Sequence, residues 1–90
     1  MDFPKYFLKL TLEAINVYIS KGNTIINAKR IRSYHNIPNS DRSKINFIWR
    51  GLEYLEKAEI IVLSKNRGNG KSKQYSLPKE MINIEKIMDE

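Results

Sequence analysis

The stretch from Ile45 to Leu63 constrains the fold more than any other part of the chain. Ile45, Ile48, Leu52 and Leu55 recur at helical spacing with Trp49 beside them, and the repeat gives way to the β-branched run Ile60-Ile61-Val62-Leu63. The first pattern lines one face of an α-helix; the second is too short for another helix and suits a strand. Both helices and strands are expected, and the class is α+β. A chain of 90 residues has interior enough for one core, and the expectation is a single domain over residues 1–90. It has no cysteine, so stability must come from packing and not from disulfides or a thiolate-bound zinc ion.

The remaining elements follow from local signals. Asp2 and Pro4 mark the start of a first helix and Gly22 its stop. Leu8, Leu12, Ile15 and Ile19 make one apolar stripe on it, while Phe7, Leu10, Ala14, Val17 and Tyr18 make a second. An arc this wide exceeds what one core usually requires, which predicts a homodimer through helix one. Thr24, Ile25 and Ile26 suit a short edge strand. Asn27 caps a second helix, Ala28 to His35, which buries Ala28, Ile31 and Tyr34 and stops at Asn36, a residue tolerant of the left-handed conformation. Ser40 or Asn39 caps the third helix, with Asp41 in its first turn. Asn66 to Lys71 is rich in residues that accept positive φ and joins the strand Ile60–Leu63 to a returning strand, Gln74–Leu77, as a hairpin with a basic tip. Met81, Ile84, Ile87 and Met88 then suggest a short amphipathic C-terminal helix, which would help form the dimer.

This order of elements resembles the winged helix-turn-helix family across nearly the whole chain. The run from Ile48 to Ile61 is similar to the end of a family recognition helix, in which two leucines three apart precede an acidic residue, a small residue and an apolar strand. The small size and the Ile, Lys and Asn bias are similar to those of winged-helix proteins of archaea and their viruses. Glu59 departs from the pattern, since many family members carry glycine there. The resemblance implies a three-helix core, a two- or three-stranded β-wing, a short C-terminal helix and double-stranded DNA as the partner.

Charge is distributed accordingly. The net charge is +6, but residues 27–50 contribute +5 and residues 61–77 contribute +4, while residues 51–60 and 78–90 contribute −2 each. Clustered cations gain from counterion release on a polyanion. On the third helix, with Ile45, Ile48, Leu52 and Leu55 turned inward, Asn46 and Arg50 suit base readout, since Asn can grip adenine and Arg guanine bidentately, and Phe47 suits a thymine methyl or a protein partner. Arg42, Ser43 and Lys44 lie where phosphates would meet the helix start. Lys29, Arg30 and Arg32 on the second helix, and Lys65, Arg67, Lys71 and Lys73 in the hairpin, complete the expected backbone contacts. A solvated polar face is the bland alternative for each residue taken singly.

Catalysis is not expected. Gly68-Asn69-Gly70-Lys71-Ser72 imitates the end of a phosphate-binding P-loop, but the first glycine of that motif would fall on Lys65. His35 is the only histidine and no spacing puts a nucleophile or carboxylate pair beside it, so no cofactor or metal is called for. Neither an export signal nor a membrane span is legible, which gives a cytoplasmic expectation. The readings left open are a dimeric, sequence-reading transcriptional regulator, a protein-interaction subunit of a replication or transcription assembly, and an RNA-binding winged helix.

Overall fold

The computed structural model describes residues 5–64 and 73–89. In chain order the elements are α1 (Lys5–Ser20), β1 (Ile25–Ile26), α2 (Ala28–Tyr34), α3 (Arg42–Lys57), β2 (Val62–Leu63), β3 (Tyr75–Ser76) and α4 (Ile84–Met88). The described residues form a mixed α+β structure of helices around one small antiparallel sheet with strand order β1-β3-β2. The helix start expected at Asp2 and Pro4 and the hairpin tip at Asn66–Lys71 lie outside the described residues.

The core explains the order. Leu8, Leu12 and Ile15 of α1 meet Ile31 of α2 and Ile48, Leu52 and Leu55 of α3, and Ile26, Ile61 and Tyr75 close the cluster from the sheet side. Helix α1 is the shared wall against which α2, α3 and α4 all pack. Much of its second stripe is thereby used inside the molecule. Ala14 is buried, Phe7 stacks on Phe47 of α3 with ring centroids 4.8 Å apart, and the Tyr18 hydroxyl donates to the Arg30 carbonyl at 3.3 Å. Leu10 and Val17 stay half-exposed.

Three local expectations need correction. Tyr34 is 44% exposed, not buried with Ala28 and Ile31. Residues spaced by three drift about 60° per step around a helix, so by the third residue the series has turned off the inner face. The cap of α3 is Asp41, whose Oδ1 accepts from the Lys44 amide at 3.2 Å, and not Ser40 or Asn39. Those two belong to the preceding turn, in which the Asp41 amide donates to the Pro38 carbonyl at 3.0 Å. Helix α4 begins only at Ile84 behind the cap Asn83, leaving Met81 outside it and 61% exposed.

The ends of α1, α2 and α3 share one geometry. Gly22, Asn36 and Glu59 sit at φ 85°, 55° and 62°. The Gly22, Asn36 and Glu59 amides donate to the carbonyls of Ile19, Ser33 and Glu56, and the next amides along, of Asn23, Ile37 and Ile60, reach back to Tyr18, Arg32 and Leu55. These paired bonds form the Schellman cap, which requires a left-handed residue. Glycine adopts it without strain and asparagine tolerates it, but a glutamate there costs roughly 1 kcal/mol. The departure noticed in the sequence at Glu59 is therefore a point of backbone strain.

Tyr75 lies on the central strand, opposite Ile26 on one side and Leu63 on the other, and is fully buried. Its hydroxyl has no hydrogen-bond partner among the described residues. Burial raises the phenol above its ordinary ionisation range, and the carboxylates of Glu56 and Glu53 raise it further. Because the folded state holds the proton more tightly than the unfolded chain, this contribution to stability is intact below about pH 10 and is lost as pH rises above it. Tyr75→Phe is expected to leave stability at neutral pH unchanged or higher and to flatten the alkaline loss, read from urea midpoints at neutral and alkaline pH. A markedly lower midpoint at neutral pH would show that the hydroxyl is bonded after all.

Candidate nucleic-acid interface

Helix α3 carries the site because its two faces have opposite chemistry. Ile48, Gly51, Leu52 and Leu55 are buried, whereas Arg42, Ser43, Asn46, Arg50, Glu53 and Lys57 are exposed. At about 100° per residue these six fall together on the side away from the core. Charge changes sign along this helix: Arg42, Lys44 and Arg50 lie in its first half or at its middle, and Glu53 and Glu56 follow, with Glu59 at the exit. The first half is cationic, and the second is net negative with Lys57 also on its exposed face.

At the start of α3, Asp41 has two attachments to Lys44. Its Oδ1 accepts the backbone amide, and its Oδ2 lies 3.5 Å from Nζ in an exposed ion pair. Such a pair contributes little in water, so Lys44 can leave it for a phosphate at small cost. Phe47 is less available than its sequence position suggested, since Phe7 covers one face of its ring and Tyr6 meets Phe7 edge-on at 5.5 Å. Phe47 as a whole is half-buried.

The cationic run of α2 divides into two kinds. Lys29 is exposed. Arg30 is half-buried: its Nη1 donates to Asn23 Oδ1 at 3.3 Å and to the Ile25 carbonyl at 2.9 Å, and its guanidinium lies 5.6 Å from the Tyr18 ring centroid. Arg32 is also half-buried and donates to the Ile37 carbonyl at 3.4 Å. These two fasten α2 to β1 and to the α2–α3 connection, a role that a sequence of alternating cations does not distinguish from phosphate contact. Lys73 is exposed just before β3, while Lys65, Arg67 and Lys71 lie outside the described residues.

His35 at the end of α2 donates from Nε2 to the Leu10 carbonyl at 2.7 Å, with its ring edge-on to Tyr34. It ties α2 to the middle of α1. Sequence reasoning missed two further positioning features. Gly51 lets α3 approach α1 at Thr11, where an added Cβ would lie 3.1 Å from Oγ1. Asn16 of α1 holds the chain before α4 by donating to the Ile82 carbonyl at 2.9 Å and accepting its amide at 2.7 Å. The available signal was two polar residues inside an apolar arc.

Neither protein-family profiles, nor curated proteins, nor solved structures give a match to this chain. No helix among the described residues is long and apolar enough to cross a membrane.

Proposed function

We propose that this chain is a winged helix-turn-helix protein that binds double-stranded DNA as a cytoplasmic regulator of transcription, with α3 in the major groove. The supporting observation is the outer face of α3, where exposed Asn46 and Arg50 follow exposed Arg42 and Ser43 on the side opposite a fully apolar core face. The major groove admits one α-helix and presents acceptors and donors that Arg and Asn can pair bidentately. In this reading Asn46 and Arg50 read base edges, and Arg42, Ser43, Lys44, Lys29 and Lys73 meet phosphates. Lys65, Arg67 and Lys71, between β2 and β3 in the sequence, are the cations expected of the wing. Glu53, Glu56 and Glu59 keep the far end of the helix away from the backbone and so fix which end enters the groove. Reading two half-sites calls for a two-fold dimer, and the apolar patch of Val17, Tyr34, Met81 and Ile84 between α1, α2 and α4 is the surface offered for it.

The deciding experiment selects a preferred duplex from a random pool and compares its binding with that of random duplex and single-stranded RNA over a salt series, in the analytical ultracentrifuge so that the protein's own mass is read as well. A large specificity ratio for one duplex is expected. Arg50→Ala should cost roughly 1 to 3 kcal/mol at that site and relax selection at one base pair; Arg50→Lys should restore binding only in part. An equal loss for every sequence would make Arg50 a phosphate contact. Equal affinity of the intact protein for all nucleic acids would remove the sequence-reading role.

A further inference from the structure

Strand β2 is an edge of the sheet, since the strand order β1-β3-β2 gives it a single described neighbour. The phase of its pairing shows what the outer side offers. The Ser64 amide donates to the Gln74 carbonyl at 2.7 Å, and Val62 and Leu63 stand opposite Ser76 and Tyr75. Hydrogen-bonded pairs alternate along an antiparallel ladder, so Val62 shares bonds with Ser76 while Leu63 turns its N–H and C=O away from β3. Val62 is 63% exposed. Sheet edges are normally protected by shortness, charge, proline or a bulge; β2 is short, and the run Ile60-Ile61-Val62-Leu63 carries neither charge nor proline.

Beside this edge lies an open groove lined by Ile61, Val62 and Leu63 and rimmed by Glu56 and Glu59. Glu59 occupies the left-handed position at φ 62°, where glycine would relieve strain. A strained residue that contributes a carboxylate to a groove rim is accounted for if the carboxylate is used. We infer that the β2 edge is a docking site for an extended, basic segment of another protein, which adds as a further strand by pairing with Leu63, seats an apolar side chain against Val62, and directs its Lys or Arg side chains to Glu56 and Glu59. The carboxylates of Glu56 and Glu59 on this groove favour a basic occupant, and a second copy is one of the outcomes the test separates. Glu56 and Glu59 also orient α3 in the proposed function, but none of the residues proposed to contact DNA belongs to this edge.

The test uses the full chain and three probes: an acetylated, amidated Lys-Val-Lys-Val-Lys-Val peptide, its Glu-Val counterpart, and the Lys-Val peptide N-methylated at alternate residues. Titration followed by amide NMR should shift Glu59, Val62 and Leu63 with the first probe and not with the other two. Glu59→Gly should raise Tm while weakening the Lys-Val peptide roughly two- to fivefold, the range of an exposed charge pair, and Glu56→Gln should weaken it similarly. Val62→Lys, at an exposed position, should keep the fold and abolish binding. Equal binding of the N-methylated peptide would overturn the proposal by showing that charge alone drives it, as would unchanged affinity in Glu59→Gly and Glu56→Gln. A concentration-dependent dimer removed by Val62→Lys would overturn it by giving the edge to a second copy.

Discussion

Gly51→Val is expected to destabilise the protein by ~3 kcal/mol, the upper part of the range for overpacking a filled core, and so to abolish every activity that depends on the fold. At this position α3 crosses α1, and a Cβ added to Gly51 would lie 3.1 Å from Thr11 Oγ1 and 3.6 Å from Thr11 Cβ. Thr11 is fully buried, and its hydroxyl donates to the Phe7 carbonyl at 2.8 Å. A β-branched side chain held in one rotamer by a hydrogen bond has little room to give way. Gly51→Ala separates packing from helix propensity, because alanine gains about 1 kcal/mol over glycine in a helix interior. In the native background the clash should outweigh that gain and lower the urea midpoint. In a Thr11→Ala background, where the obstructing hydroxyl is gone, the same substitution should raise it. This change of sign is the coupling a double-mutant cycle reads, and a stabilising Gly51→Ala in the native background would sink the argument.

The contrast between what was legible and what was not follows the range of the interactions. Order and type of the elements could be read because Ile45, Ile48, Leu52 and Leu55 on α3, the β-branched run after it and the left-handed residues Gly22 and Asn36 are signals carried within a few neighbouring positions. Glu59 was legible only as an anomaly, and its φ of 62° explains it. The division of Lys29, Arg30 and Arg32 was not legible, since what removes Arg30 from the surface is Asn23 and the Ile25 carbonyl, groups that only the folded chain brings to it. The same holds for Phe47, whose ring partner Phe7 is on another helix. The face of α3 at Arg42, Ser43, Asn46 and Arg50 needed no distant partner to be read, because it follows from helical period alone once the apolar positions are known.

Asn16→Leu should release α4 while leaving the α1–α3 core assembled. The Asn16 side chain is 7% exposed and bonds both polar groups of the Ile82 backbone, at 2.9 Å and 2.7 Å, across 66 positions of sequence. Leucine fills a similar volume but satisfies neither group, and each unpaired buried backbone group costs roughly 1 to 3 kcal/mol unless the segment moves out to water. Movement is the cheaper outcome here, since α4 spans only Ile84–Met88 and none of its residues is fully buried. Hydrogen exchange should therefore accelerate at the Ile82 amide and through α4, with the amides of Leu12 and Leu52 still protected. Asn16→Asp supplies a sharper control. An ionised carboxylate cannot donate to the Ile82 carbonyl, whereas the protonated acid can, so the folded state favours the acid form and raises its pKa above the unfolded value. Stability of that variant is then present at low pH and lost as pH rises through the folded pKa, opposite to the usual direction for a carboxylate. Because Ile84 and Met81 belong to the patch proposed for dimerisation, Asn16→Leu should also reduce any dimer to monomer without touching the exposed face of α3. Retained exchange protection in α4 would show that apolar packing alone docks it and that Asn16 only fills space.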